Sequence, residues 1–138
     1  MSATGLAFDG TYLWLSDARQ GQLLQLDPED MTVLKSFRSA GWIPLGLAWN
    51  GSSLFAVDGE SNNIFEIDTS GNVLEVRSTP LVDPFGITFD GEDFWVLDDR
   101  TKRIYQLAVP EPSSFTVLAL AAIVCVLFQC RGGKRSVR

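Results

Sequence analysis

Three aspartates, Asp17, Asp58 and Asp98, recur at offsets of 41 and 40 residues, and carboxylates spaced this way can do two kinds of chemistry. Brought to one face of a fold, they form a ring that can bind a metal ion or serve catalysis. Held in their own turns, they accept hydrogen bonds from backbone amides of the next hairpin. Recurrence in every repeat favours the second use, since catalytic residues are normally asymmetric; as metal ligands the three are weak candidates. The chain has no histidine, which removes Ser-His-Asp and Cys-His nucleophile systems. Its two cysteines, Cys125 and Cys130, match no zinc spacing. No Gly-rich phosphate loop is present, and no cofactor is expected.

The elements that position these aspartates are repeats. Gly5-Leu-Ala-Phe8-Asp9-Gly10 to Asp17 aligns without gaps with Gly46-Leu-Ala-Trp49-Asn50-Gly51 to Asp58, and with Gly86-Ile-Thr-Phe89-Asp90-Gly91 to Asp98. The register continues through residues 22–27, 63–68 and 103–108. Short apolar inner strands are expected at 5–8, 46–49 and 86–89, each followed by an Asx-Gly tight turn in which Gly tolerates positive φ and Asx visits the left-handed region cheaply. Second strands follow at 12–16, 53–57 and 93–97, third strands at 22–26, 63–67 and 103–107, and outer strands at 31–37 and 72–77. Consecutive apolar residues on the second strands suit a sheet buried on both faces. A period of about 40 residues built from short strands is the signature of a β-propeller blade. The expected architecture is therefore all-β: a partial propeller of about three four-stranded blades (5–45, 46–85 and 86–108), the last incomplete, filling residues 1–108.

The pattern Gly-[Leu/Ile]-x-[Phe/Trp]-[Asp/Asn]-Gly…Trp-x-x-Asp…Ile-x-x-[Leu/Ile] resembles the NHL-like and glutamine-cyclotransferase-like propellers. Pro84 to Ile104 carries the closest match to an NHL repeat. The resemblance spans 5–107 and is to a fold-making superfamily pattern, so function does not travel with it. Propeller lactonases and phytases illustrate the metal-ring alternative for the aspartates. Trp14, Phe55 and Trp95 share one position and read as inter-blade core rather than a ligand box. Trp42, in the loop before the second inner strand with Val82 as its counterpart, reads equally as a binding platform at the mouth or as rim packing.

Fewer than three full blades do not close a ring, since propellers close with four to eight. Residues 1–4 lead straight into the first inner strand with no signal-peptide pattern. Two explanations are open: further blades and a signal peptide upstream, which is favoured, or three chains assembling. Either way, an open arc exposes faces expected to carry Leu6, Phe8, Leu13 and Trp14 at one end and Phe89, Phe94 and Trp95 at the other.

Beyond the repeats the composition changes. Residues 109–114 form a proline-flanked acidic linker, 115–130 an uncharged apolar run, and 131–138 a basic tail with Arg131, Lys134, Arg135 and Arg138. The run spans roughly 24 Å as a helix, somewhat under a hydrocarbon core of ~30 Å. Ser113 and Ser114 can add a turn, and snorkelling by Arg131 covers the remainder. A single C-terminal transmembrane helix is expected, its basic tail cytoplasmic and the repeats outside. Pro110 and Pro112 hold Glu111 in an extended segment clear of the bilayer. Cys125 and Cys130 read as small apolar fillers, with lipidation of Cys130 as the alternative.

This three-part order closely resembles the PEP-CTERM sorting signal of bacterial surface proteins, the substrates of exosortases. The resemblance implies an exosortase-type membrane protease as partner, cleavage near Pro110-Glu111-Pro112, and passage from the inner membrane to the cell surface or the extracellular space. Residues 1–110 carry 16 acidic and 7 basic side chains, a net of −9, whereas Glu111 onward adds +3. So acidic a body has no reason to bind nucleic acid. The reading is an exported, surface-sorted binding or scaffold module with a protein or glycan ligand, not an enzyme. The alternative is the C-terminal part of a propeller enzyme, glutaminyl cyclase- or lactonase-like, whose catalytic blades are missing.

Overall fold

The computed structural model describes residues 1–108. The Pro110-Glu111-Pro112 motif, the expected membrane helix over 115–130 and the basic residues Arg131, Lys134, Arg135 and Arg138 lie outside the described residues.

Each repeat folds into one antiparallel sheet. Strands β1 (Ala3–Phe8), β2 (Leu13–Asp17), β3 (Gln22–Leu26) and β4 (Val33–Arg38) pair in chain order. The second sheet repeats this with β5 (Pro44–Trp49), β6 (Leu54–Asp58), β7 (Asn63–Ile67) and β8 (Val73–Ser78). The third contains β9 (Pro84–Phe89), β10 (Asp93–Asp98) and β11 (Arg103–Ala108), so among the described residues it lacks an outer strand. Within the described residues the third repeat is thus a three-stranded sheet.

The inner strands begin two residues earlier than the apolar pattern indicates. A register shift in each lets pairing continue past the repeat glycine, so that Ala3, Pro44 and Pro84 face Asp17, Asp58 and Asp98. Proline is tolerated there because it opens a strand. The outer strands start at Val33 and Val73 rather than at 31 and 72. In the first, Met31 sits in the preceding turn with φ 62° and does not extend.

The Asx-Gly hairpins also differ from expectation in one respect. Only Gly10, Gly51 and Gly91 take positive φ, at 98°, 101° and 105°; Asp9, Asn50 and Asp90 do not. Their side chains cap the turn instead. Asp9 Oδ1 accepts the amides of Thr11 and Tyr12 at 2.8 and 2.7 Å. Asn50 and Asp90 do the same for the residues two and three further on.

Strand alternation sends successive side chains to opposite faces, and this places the core between sheets. Trp14 and Leu23 from the first sheet meet Leu47, Leu54, Ala56 and Ile67 from the second. The opposite face of the second sheet sends Phe55, Val57 and Ile64 against Ile87, Phe94 and Val96 of the third. All five residues of β6 are buried, as a sheet covered on both faces requires. Phe55 and Phe94 stack with ring centroids 4.3 Å apart.

The expected end faces need correction. Trp14 is fully buried and Phe94 is 3% exposed, because both point inward to the second sheet; Phe89 packs against the same inner cluster. The outward faces instead carry Leu6 and Phe8 at one end and Phe85 and Leu97 at the other, all exposed, with Trp95 half-buried beside them.

Candidate functional site

The three aspartates occupy one geometry. Each ends a second strand and links the turn after it to the segment that leads into its own sheet's inner strand. Asp17 Oδ1 accepts the amides of Ser2, Arg19 and Gln20 at 2.9, 3.1 and 3.3 Å. Asp58 Oδ1 accepts the Ile43 amide at 2.6 Å, while its Oδ2 takes the amide and hydroxyl of Ser61 at 2.9 and 2.7 Å. Asp98 takes the Val82 amide on Oδ2 and the Thr101 amide on Oδ1, both at 2.9 Å. A backbone bond closes each arrangement: Ala18 to Ser2, Gly59 to Ile43 and Asp99 to Asp83.

All three carboxylates are at most 1% exposed. They do not converge: among the described residues no three acidic or cysteine side chains gather as metal ligands. A Cβ on Gly41 would run into the Asp58 carboxyl, so glycine there is what lets the loop close over the carboxylate. The structure therefore gives these side chains backbone amides as partners, and only Asp17 Oδ2 has none among the described residues.

The loops over these aspartates carry apolar surface. Trp42 is 69% exposed, with the Arg38 guanidinium 5.9 Å from its ring centroid. Ile43 and Val82 are exposed beside the buried carboxylates their loops cover. At the far ends of the inner strands, a cavity of about 260 Å³ opens between β1, β5 and β9, lined by Phe8, Trp49, Thr88 and Phe89 among others.

A pairing missed in the sequence links turn to core. The Trp14 indole Nε1 donates to Asp9 Oδ2 at 2.7 Å, and Trp95 donates to Asp90 Oδ2 at 2.7 Å. Asp, with a second acceptor oxygen, accompanies Trp five residues on, whereas Asn50 accompanies Phe55, which has no donor. That covariation between repeats was the available signal.

Known structures share this arrangement of sheets. Virginiamycin B lyase from Staphylococcus aureus superposes with a TM-score of 0.64 at 19% identity, covering 78% of this chain and 38% of that one. For the glutaminyl cyclase of Myxococcus xanthus the values are 0.67, 18%, 78% and 46%. A nidogen–laminin complex gives 0.63 and 22%, covering 77% of this chain and 44% of that one. The fold is a partial β-propeller. No family model and no curated protein matches the chain. The chain spans less than half the length of these propellers.

The propeller's turn carboxylates fix its response to acid. The Ser2 amide, with those of Gln20 and Arg19, holds Asp17 below the ordinary carboxylate range despite burial. Burial pushes Asp98 upward, and the amides of Thr101, Val82 and Asp83 outweigh it, so it too is lowered. The Asp93 amide and Trp95 indole lower Asp90. A carboxyl lowered in the fold binds fewer protons there than in the unfolded chain. Its stabilisation is therefore present above the unfolded pKa of about 4 and is lost as pH falls through the folded value. With no histidine in the chain, the melting temperature should be nearly flat between pH 5 and 8 and drop steeply below about pH 4. A thermal melt series across this range checks it; a midpoint that falls between pH 7 and 5 would contradict it.

Proposed function

We propose that this chain is an exported β-propeller module for binding or scaffolding, delivered to the cell surface by a C-terminal PEP-CTERM-type tail that an exosortase-type protease processes. The observation that carries the reading is the order of the tail: Pro110-Glu111-Pro112, an uncharged run over 115–130, and a basic end from Arg131 to Arg138. Each part alone is a weak signal; in this order they match what a membrane protease needs, an extended subsite held just outside a single stop-transfer helix.

The binding half of the proposal draws support from the site. The repeated carboxylates are engaged by backbone amides, while Trp42, Ile43 and Val82 present contact surface above them. A protein or glycan that stacks on an exposed indole fits such a surface. The lyase and the cyclase among the similar folds favour a second reading, a propeller enzyme with its catalytic residues on further blades. That reading needs asymmetric polar residues clustered at the channel mouth of those further blades.

Replacing Ala122 by Asp in the middle of the apolar run tests the anchor. On insertion scales an Asp at a helix centre costs ~2.5–3.5 kcal/mol, enough to move the protein from the membrane to the soluble fraction. Unchanged fractionation of Ala122→Asp would remove the membrane step from the account.

A further inference from the structure

Resting on the binding-module reading, we propose that the loop joining the first two blades binds an acidic sugar, a pyranose ring carrying a carboxylate, which stacks on Trp42 and is held by Arg38 and Arg19. Both blades that flank this loop have all four strands. The loop departs from its counterpart in the next blade at positions that the fold itself uses. Pro44 and Pro84 open equivalent strands, so Arg38, Gly41 and Trp42 correspond to Ser78, Leu81 and Val82. Leu81 is buried in the core of the second and third blades. Gly41 gives the first loop no such anchor, while Trp42 beside it stands in solvent. In the adjoining turn, Gln20 takes the place of Ser61 and Thr101. Ser61 Oγ donates to Asp58 Oδ2 at 2.7 Å. Gln20 has no β-hydroxyl to give, and Asp17 Oδ2 is buried without a partner among the described residues. An apolar anchor and a buried cap are thus both given up within one patch, and proteins break the rules of their own fold chiefly at functional sites.

The patch has the chemistry of a sugar site. Turn and loop touch: the Ser39 amide donates to the Gly21 carbonyl at 2.9 Å, and Gln22 lies opposite Arg38 in the β3–β4 ladder. The Arg38 guanidinium, 5.9 Å from the indole centroid, is within cation–π reach of Trp42. Arg19 and Arg38 are both exposed, and among the described residues neither forms an ion pair. Two such guanidinium groups in a body of net −9 single out a carboxylate, which they can hold bidentately. The side chains of Gln20 and Gln22 are hydrogen-bonded to each other, and carboxamides both donate and accept, as ring hydroxyls require. The indole supplies the apolar face on which a pyranose stacks. One indole, two guanidinium groups and two carboxamides match a single sugar residue, whereas a protein partner covers ~800 Å². Glu60 follows Gly59, whose amide donates to the Ile43 carbonyl at 2.9 Å. It brings an acid to the second-blade side of the loop, so the site takes one carboxylate rather than a polyanion.

Titration calorimetry of the full chain in detergent, with cellobiouronic acid and its neutral counterpart cellobiose, tests this. The acid should bind ~10-fold or more tightly than cellobiose, the worth of a charge-assisted hydrogen bond. Trp42→Ala should weaken binding of the acid by ~10-fold or more. Arg38→Gln should abolish the preference for the acid and leave the weak binding of cellobiose in place. All three side chains are exposed, so these variants and Arg19→Gln should melt like the wild type. No binding of the acid, or binding indifferent to Trp42→Ala, would overturn the proposal. Equal binding of both sugars through Trp42 would overturn the acidic class and leave the binding-module reading standing. Capture of a triglutamate peptide through Arg38 and Arg19, with neither sugar bound, would do the same and assign the patch to a peptide.

Discussion

Gly46→Ala is expected to unfold the protein or lower its melting temperature by well over 10 °C. The added methyl group would sit 2.7 Å from the Phe85 carbonyl oxygen and 2.8 Å from the Ile87 nitrogen. Both belong to backbone held in β9, so no side chain can swing aside. Relief requires the second and third blades to separate, which opens the cluster of Phe55, Val57, Phe94 and Val96. Overpacking of this kind costs about 3 kcal/mol or more, and at this size each kcal/mol is worth roughly 4–8 °C. Gly86→Ala, at the equivalent position with nothing closer than 3.8 Å among the described residues, should leave the melting temperature of the dilute chain unchanged. Thermal melts of the pair, with the chain kept dilute, make the comparison; equal losses would show that glycine is required for its own backbone rather than for the neighbouring blade.

Trp14→Ala should be about as damaging, at ~3–5 kcal/mol. Its side chain is fully buried between the first two blades, tilted 6.0 Å from Phe37. Truncation leaves a cavity and also strips Asp9 Oδ2 of its indole donor. Trp14→Phe separates the two losses: it keeps most of the apolar volume and removes only the donor, for about 1 kcal/mol. Combining it with Asp9→Asn copies the Asn50–Phe55 pair of the second blade and should recover part of that cost. Denaturant unfolding of the wild type, Trp14→Phe, Asp9→Asn and their combination forms a double-mutant cycle; strictly additive effects would mean that turn and core are not coupled through this bond.

The period and the turns were readable because Asx-Gly pairs and alternating apolar runs follow from local chemistry. The ends of the inner strands were not. The register shifts that bring Ala3, Pro44 and Pro84 opposite the aspartates depend on pairing, which no local pattern records. Placing Trp14 and Phe94 on open faces failed for a related reason: neighbours in a strand point to opposite faces, and only the order of packing says which face meets the next blade. The aspartates were correctly located at the strand ends, but their amide partners Ser2, Ile43 and Val82 lie about 15 residues earlier in the chain. Those bonds join segments on either side of the inner strand, so they depend on how it pairs rather than on local sequence.

Within the described residues the repeats account for the fold, while the proposed destination rests on the tail. Mass spectrometry of the mature C-terminus, on protein from the surface of a host that has an exosortase, tests that claim most directly. A terminus near Pro110-Glu111-Pro112, with the 115–130 run and the basic end gone, is the predicted result. Surface protein that still ends in Arg138 would contradict it.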